Sequence, residues 1–366
     1  MIPGKEFIQH LVSKDIRYFT GVPDSLLKEL ISEIGNVNNI KHRIAVNEGA
    51  ALAMAAGAYM ASQKIPVVYL QNSGLGNLVN PLTSLHDPEV YSLPVLLLIG
   101  WRGRPGIKDE PQHVKMGRIT EEMLNTLELP YQILLSNGTA GWKQQIDELI
   151  SIAGKEKRPV ALLIGENVFT GASKQTEQPY TMDSETAIRL LYQKLNSNDI
   201  VICTTGKIGR VFYKIHISQK KINRYFLNVG SMGHAASIAA GIGENFNEKV
   251  VVIDGDGSLL MHTGALASIS KLNNICYIVL NNGSHQSVGA QPTAGFEVDF
   301  CTIARGFGFA QQQRVDNTSQ LDSISSLAMK GFFEIRINNH TCNDLPRPEQ
   351  IPSVAVREFM KQLKVG

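Results

Sequence analysis

The chain has 366 residues, which at about 150 per domain predicts two domains, or three. Hydrophobic residues make up 43% and charged residues 19%, an ordinary globular balance that sets fibrous and disordered classes aside. Thirty-five Lys and Arg against 33 Asp and Glu leave a net charge of +2, so the basic excess of a duplex nucleic-acid binder is missing, although a local cationic pocket is allowed. The cysteines Cys203, Cys276, Cys301 and Cys342 are scattered with no C-x-x-C pair. Neither a disulfide framework nor a zinc knuckle is expected, and a reducing cytoplasm fits. The opening MIPGKEFIQH lacks an apolar signal region, and no apolar run nears the roughly 20 residues of a membrane helix, so no membrane association is expected.

The predicted elements follow in chain order. IRYFTG (16–21) is the first short apolar run, and PVVYLQ (66–71), PVLLLIG (94–100) and PVALLIG (159–165) come after it. Later runs are DIVICTTG (199–206), KVVVIDGDG (249–257), ICYIVLNN (275–282) and GFFEIRI (331–337). Runs that are apolar on both faces and rich in β-branched residues suit parallel strands buried between helices. Their alternation with amphipathic or Ala-rich stretches predicts an α/β fold of mainly parallel sheets flanked by helices. The segment TGASKQTEQPYTM is polar, holds Gly and Pro, and lacks periodicity, so it reads as a linker. The expected division is a first domain at 1–170, a linker at 171–183 and a second domain at 184–366.

The two halves echo each other. With Gly49 placed on Gly233, GAALAMAAG (49–57) lies over GHAASIAAG (233–241). Both glycines match, as do Ala51 with Ala235, Ala55 with Ala239 and Ala56 with Ala240. Without a gap, VVYLQN (67–72) then lies over VVIDGD (251–256), which puts Asn72 on Asp256. FTG (19–21) and TTG (204–206) fall at almost the same shift. An ungapped register through a helix, a strand and the turn after it argues for a duplicated domain.

The chemistry concentrates in the second half. VVVIDGDGS is a buried strand ending in a Gly-Asp-Gly turn, and Asn282 ends another strand about two dozen residues later. Ligands of open parallel sheets bind beyond the carboxyl ends of the strands. A carboxylate, an amide oxygen and a backbone carbonyl there form a hard oxygen site suited to magnesium held with phosphates. The glycines let backbone N–H groups approach a diphosphate. A plain dinucleotide-binding turn is the competing reading, but no G-x-G-x-x-G follows the strand.

In GDGSLLMHTGALASISKLNNICYIVLNN the chain resembles the thiamine-diphosphate enzymes, whose shared motif is GDG followed at this spacing by NN. The resemblance covers nearly the whole chain and lacks only the middle domain of many relatives. It implies a pyrimidine-binding first domain, a diphosphate-binding second domain, and thiamine diphosphate with Mg2+ as cofactors. Asp256, Asn282 and the Ser284 carbonyl are the implied metal ligands. Gly255, Gly257 and Ser258, with Thr205 and Gly206, are implied on the cofactor. Glu48, in AVNEGAALAMAAG, is the implied carboxyl that bonds the pyrimidine ring and drives the tautomer that removes the thiazolium proton. Met232 is the implied apolar wedge, and the Gly230 carbonyl the implied acceptor of the exocyclic amine. In the family a first domain meets the second domain of another chain, so a homodimer is expected at the least, or a tetramer.

GVPDSLLK (21–28), QNSGLGN (71–77), DEPQHVKMGR (109–118), TTGKIGR (204–210) and NNGSHQSVGAQPT (281–293) resemble the branch of this family that decarboxylates 3-phosphonopyruvate or sulfopyruvate. The loop WRGRPGIKDEPQHVKMGR supplies Arg102, Arg104, Lys108, His113, Lys115 and Arg118, with Asp109 and Glu110 partly offsetting the charge. Arg and Lys offer charge-assisted donors to phosphonate oxygens. Arg102, Arg104 and Lys115 are therefore candidate substrate contacts, with Asp24 and Ser25 after the first strand and Asn72. His113 and His285 are candidate catalytic groups, His285 because it follows the metal turn. The resemblance implies decarboxylation of phosphonopyruvate to phosphonoacetaldehyde and carbon dioxide, in phosphonate biosynthesis. The alternatives are another 2-keto acid, sulfopyruvate first, or a non-catalytic subunit with the same fold.

Overall fold

The computed structural model describes residues 1–171, 178–340 and 344–364. The chain divides into two compact units, Met1–Gln175 and Thr176–Gly366. Much of the expected linker, 172–177, lies outside the described residues, as does Cys342. The end of that stretch belongs to the second unit, where the carbonyl of Met182 accepts from Asn338 N at 2.8 Å.

The first unit carries a sheet of six parallel strands: β1 (Tyr18–Gly21), β2 (Lys41–Ile44), β3 (Val67–Gln71), β4 (Val95–Gly100), β5 (Tyr131–Leu134) and β6 (Pro159–Ile164). Their order across the sheet is β2-β1-β3-β4-β6-β5. The second unit repeats it with β7 (Ile200–Cys203), β8 (Tyr225–Leu227), β9 (Val250–Gly255), β10 (Ile275–Asn281), β11 (Gln312–Val315) and β12 (Gly331–Arg336), in the order β8-β7-β9-β10-β12-β11. Position for position the two orders are the same, as a duplicated domain requires. β3 and β9 end at Gln71 and Gly255, so Asn72 and Asp256 each follow the third strand of their sheet. The FTG–TTG echo does not coincide: Gly21 closes β1, whereas Gly206 lies beyond β7 and caps the helix Lys207–Gln219.

Alternation along the central strands sends successive side chains to opposite layers. Val67, Tyr69, Leu96, Leu98, Val160 and Leu162 pack with Phe7, Leu30 and Ile146 on one face of the first sheet. Val68, Leu70, Leu97, Ile99, Ala161 and Leu163 pack with Ala51, Leu52 and Leu124 on the other. In the second unit Val251, Ile253, Cys276 and Ile278 face one layer and Val250, Val252, Ile275 and Tyr277 the other. Truncating such a residue, as in Leu98→Ala, costs about 2–5 kcal/mol. Within the two six-stranded sheets the strands that apolar runs did not announce are β2, β5, β8 and β11, all edge strands carrying sequences such as KHRI and QQRV. Among the described residues no helix is long and apolar enough to cross a membrane.

Candidate active site

Both sheets gather polar residues at their carboxyl ends. In the first unit Glu48 opens the helix Glu48–Ser62, whose Asn47 cap accepts from Ala50 N at 2.8 Å. Glu48 is 6% exposed. Its Oε2 accepts from Asn77 Nδ2 at 2.7 Å, and a Cβ on Gly74 would lie 2.3 Å from Oε1. Burial raises its carboxyl, against the Asn77 hydrogen bond, which lowers it.

A second group forms behind β1 and β4. Arg102 clamps Asp109 with two donors, Nε at 2.7 Å and NH2 at 2.5 Å, and gives NH1 to Ser25 Oγ at 2.8 Å. Burial pushes the Asp109 carboxyl up, but Arg102 and the Glu110 N–H outweigh it and hold it down to about 2. Asp24 is fully buried, accepting from Gln71 Nε2 at 2.6 Å and Leu26 N at 2.9 Å, and burial raises its carboxyl. His113 sits in the helix Pro111–Thr126 with Nδ1 buried and, among the described residues, unpartnered. Burial, then Arg102, lowers its imidazole, which favours the neutral ring. A Cβ on Gly117 would fall 1.8 Å from the Gly103 carbonyl, so only glycine lets this helix seat against the Arg102 turn.

The structure places the other three expected substrate contacts as follows. Asn72 is fully buried and spends its amide on the Arg102 carbonyl (2.9 Å), Thr120 Oγ1 (3.0 Å) and Arg102 N (3.1 Å). It shapes the Arg102 turn and has no amide hydrogen left for a ligand. Arg104 is paired with Glu166 at 3.2 Å. Lys115 is exposed on the helix surface.

In the second unit Asp256, 2% exposed, begins the helix Asp256–Met261 directly after β9. The backbone of Asn282, just past β10, bonds its carboxylate, and so does the Thr293 hydroxyl. Burial nevertheless pushes this carboxyl up to about 6. Asn282 Oδ1 accepts from Ser284 N at 3.0 Å, and Ser284 Oγ is buried without a partner among the described residues. Ser284 and His285 form a short antiparallel pair with Gln291 and Pro292. A Cβ on Gly257 would touch His285 Cε1 at 3.0 Å, and burial holds that imidazole down to about 4.

The remaining cofactor candidates join the same edge. Thr205 donates to the Val229 carbonyl at 2.9 Å, beside Gly230. Gly206 has φ +86°, and a Cβ there would lie 3.0 Å from Ser287 Oγ. Met232 is half-buried, and the next residue, Gly233, gives its N–H to Ser258 Oγ at 3.0 Å. Beneath them lies a pair the motif reading missed: Asp254, buried, accepts from Tyr277 Oη at 2.5 Å and also bonds Ser258 and Thr204. The signal for it was present as the first Asp of IDGDG.

Among the described residues no three His, Cys, Asp or Glu side chains group as a metal site. Any cation here would need oxygens of other kinds as well, and Asp256, Asn282 and Ser284 carry a carboxylate, an amide oxygen and a backbone carbonyl. Among the described residues no cationic side chain stands out as offsetting the buried Asp256 carboxylate, so a hard divalent ion fits this donor set.

Residues 4–125 match the family described as thiamine pyrophosphate enzyme, N-terminal TPP binding domain. Residues 204–336 match thiamine pyrophosphate enzyme, C-terminal TPP binding domain. Phosphonopyruvate decarboxylase of Streptomyces viridochromogenes is 30% identical over 393 aligned positions, covering 98% of this chain and 94% of that protein. Phosphonopyruvate decarboxylase of Streptomyces hygroscopicus is 29% identical, with 98% and 93% covered. Sulfopyruvate decarboxylase of Methanosarcina acetivorans is 26% identical, with 99% and 98% covered.

Proposed function

From the premise that this chain belongs to the thiamine pyrophosphate enzymes, as a decarboxylase of the phosphonopyruvate and sulfopyruvate type, we propose that it converts 3-phosphonopyruvate to phosphonoacetaldehyde and carbon dioxide, with Mg2+. The observation that carries the substrate is the 30% identity with a phosphonopyruvate decarboxylase across 98% of the chain.

The C1–C2 bond of the keto acid breaks, the electron pair stays on C2, and a proton replaces the departing carbon dioxide. When bound, thiamine diphosphate supplies the sink for that pair. Asp256, Asn282 and the Ser284 carbonyl would hold Mg2+ against the diphosphate. Thr205, Gly206, Gly255, Gly257 and Ser258 would line it. Gly230 and Met232 would seat the pyrimidine side, and Glu48 would bond the pyrimidine ring. Burial keeps the Glu48 carboxyl raised, which suits a group that shares its proton with a ring nitrogen.

On the substrate side Arg102 presents a guanidinium already oriented by Asp109 and Ser25, and it would draw the phosphonate by charge-assisted bonds. Asp24, with its raised carboxyl, would carry the proton that C2 needs, and the imidazoles of His113 and His285, held neutral by burial, would act as proton acceptors that relay it. In this reading the smallest active unit is a homodimer, each site joining Glu48 of one chain with Asp256 of its partner. Loss of carbon dioxide makes the step a one-way draw on phosphonopyruvate, which suits phosphonate biosynthesis. The full-length similarity to a sulfopyruvate decarboxylase keeps that acid as the second reading.

The test is carbon dioxide release from phosphonopyruvate, sulfopyruvate and pyruvate with thiamine diphosphate and Mg2+ supplied. Release that is fastest from phosphonopyruvate and dependent on both additions supports the proposal; indifference to the cofactor overturns it.

A further inference from the structure

The Thr293 hydroxyl is held from both sides. Its Oγ1 accepts from Gly295 N at 3.0 Å and donates to Asp256 Oδ2. A hydroxyl has one proton, so the incoming Gly295 N–H leaves that proton aimed at the carboxylate. Thr293 closes an excursion of the chain that begins at Gly283, whose carbonyl accepts from Thr293 N at 2.9 Å. Asn281, the first Asn of the Asn-Asn pair, pins both ends of this excursion. Its Nδ2 donates to the Gly295 carbonyl at 2.7 Å, and its Oδ1 accepts from Gly283 N at 3.1 Å. Its other amide hydrogen goes to Glu334 Oε1 at 2.9 Å. Glu334 is fully buried and is itself held by Arg314 and Arg336, each at 2.9 Å. A Cβ on Gly295 would lie 2.4 Å from Asp256 Oδ2 and 2.5 Å from Asn281 Oδ1, so the backbone passes between these two side chains only as glycine.

We propose that Thr293 is the positioning residue that orients Asp256 for a divalent cation. The proposal rests on the metal reading given above. Thr293 holds Oδ2 and, together with the backbone N–H of Asn282, fixes the direction in which the carboxylate faces the ion. Hydrogen bonds that orient ligating carboxylates typically contribute about 10- to 100-fold in metal affinity. The Arg314–Glu334–Asn281 chain keeps the Gly295 turn, and hence Thr293, in place.

The experiment titrates Mn2+ into the full chain with thiamine diphosphate present, following free Mn2+ by electron paramagnetic resonance, so activity is not the readout. Thr293→Val should weaken Mn2+ binding about 10- to 100-fold, and Thr293→Ser should stay near the native value. Thr293→Ala gives the same comparison should the valine variant not fold. Native or tighter binding without the hydroxyl overturns the proposal, as does equal loss in Thr293→Ser. Asp256→Ala separates the two readings: if it still binds Mn2+ as the native chain does, the metal assignment itself fails, whereas its loss beside an unaffected Thr293→Val sinks only the role of Thr293.

Discussion

Asn77 donates its side-chain amide to Glu48 Oε2 across 2.7 Å. This bond lets a carboxyl keep a defined direction in a site where burial alone would favour its neutral form. Gly74 leaves the space on the other side, since a Cβ there would press on Oε1.

Glu48→Gln keeps the shape and the Asn77 contact but cannot share a proton. The variant is expected to melt near the native temperature and to retain cofactor, while exchange of the thiazolium C2 proton into deuterium oxide slows by about 10²- to 10⁴-fold. Gly74→Ala should act in the same direction by displacing the carboxyl. Exchange at the native rate in Glu48→Gln, followed by proton NMR, would move the role to another residue.

Much of this site was legible in the residues themselves. Strands buried on both faces, such as VLLLIG and VVVIDG, read as continuous apolar runs, and their ends mark Arg102 and Asp256. Glu48 stood out as an acid at the start of a small-residue helix. What stayed hidden depends on tertiary approach. Asn281 and Glu334 are 53 residues apart and meet only because β10 and β12 are neighbours. Thr293 has no spacing that ties it to Asp256. Arg104 looked like a partner of Arg102 by sequence distance, yet the turn sends it to Glu166. Edge strands such as QQRV bury few residues and therefore carry little apolar pattern.

Arg102→Ala tests the substrate side. Loss of one charge-assisted partner is worth about 1.5–3 kcal/mol, or about 10- to 100-fold. KM for phosphonopyruvate should rise by that factor, and KM for pyruvate, which lacks the phosphonate, should rise much less. Comparing two substrates on one variant cancels any general loss of folded enzyme. Equal rises for both substrates in Arg102→Ala would remove Arg102 from phosphonate binding.

The first unit also carries a pH-dependent contact remote from chemistry. His42 Nε2 lies 2.8 Å from Tyr69 Oη, and burial pushes this imidazole from an ordinary 6.5 down to about 4. The unfolded chain takes up a proton near pH 6.5 while the folded chain refuses it. Stability from this group is therefore full above pH 6.5 and is lost as pH falls towards 4. Urea unfolding across that window should show a slope reduced by about one proton in His42→Gln. An unchanged slope would show that His42 titrates alike in both states.

A mixing experiment addresses the homodimer. Glu48→Gln and Asp256→Ala are each expected to be inactive alone. If sites form between chains, a mixed dimer holds one site with both native residues, and an equal mixture should recover up to about a quarter of native activity. Zero recovery despite demonstrated subunit exchange would mean that each site lies within one chain, or that both sites must work together.

The proposed substrate assignment for this decarboxylase is phosphonopyruvate. Its most direct test is competition: equimolar phosphonopyruvate and sulfopyruvate in one reaction with thiamine diphosphate and Mg2+, each consumption followed by NMR. The ratio of the two rates is the ratio of kcat/KM. Faster loss of phosphonopyruvate, matched by phosphonoacetaldehyde, is the predicted result; faster loss of sulfopyruvate, or loss of neither, would contradict the account.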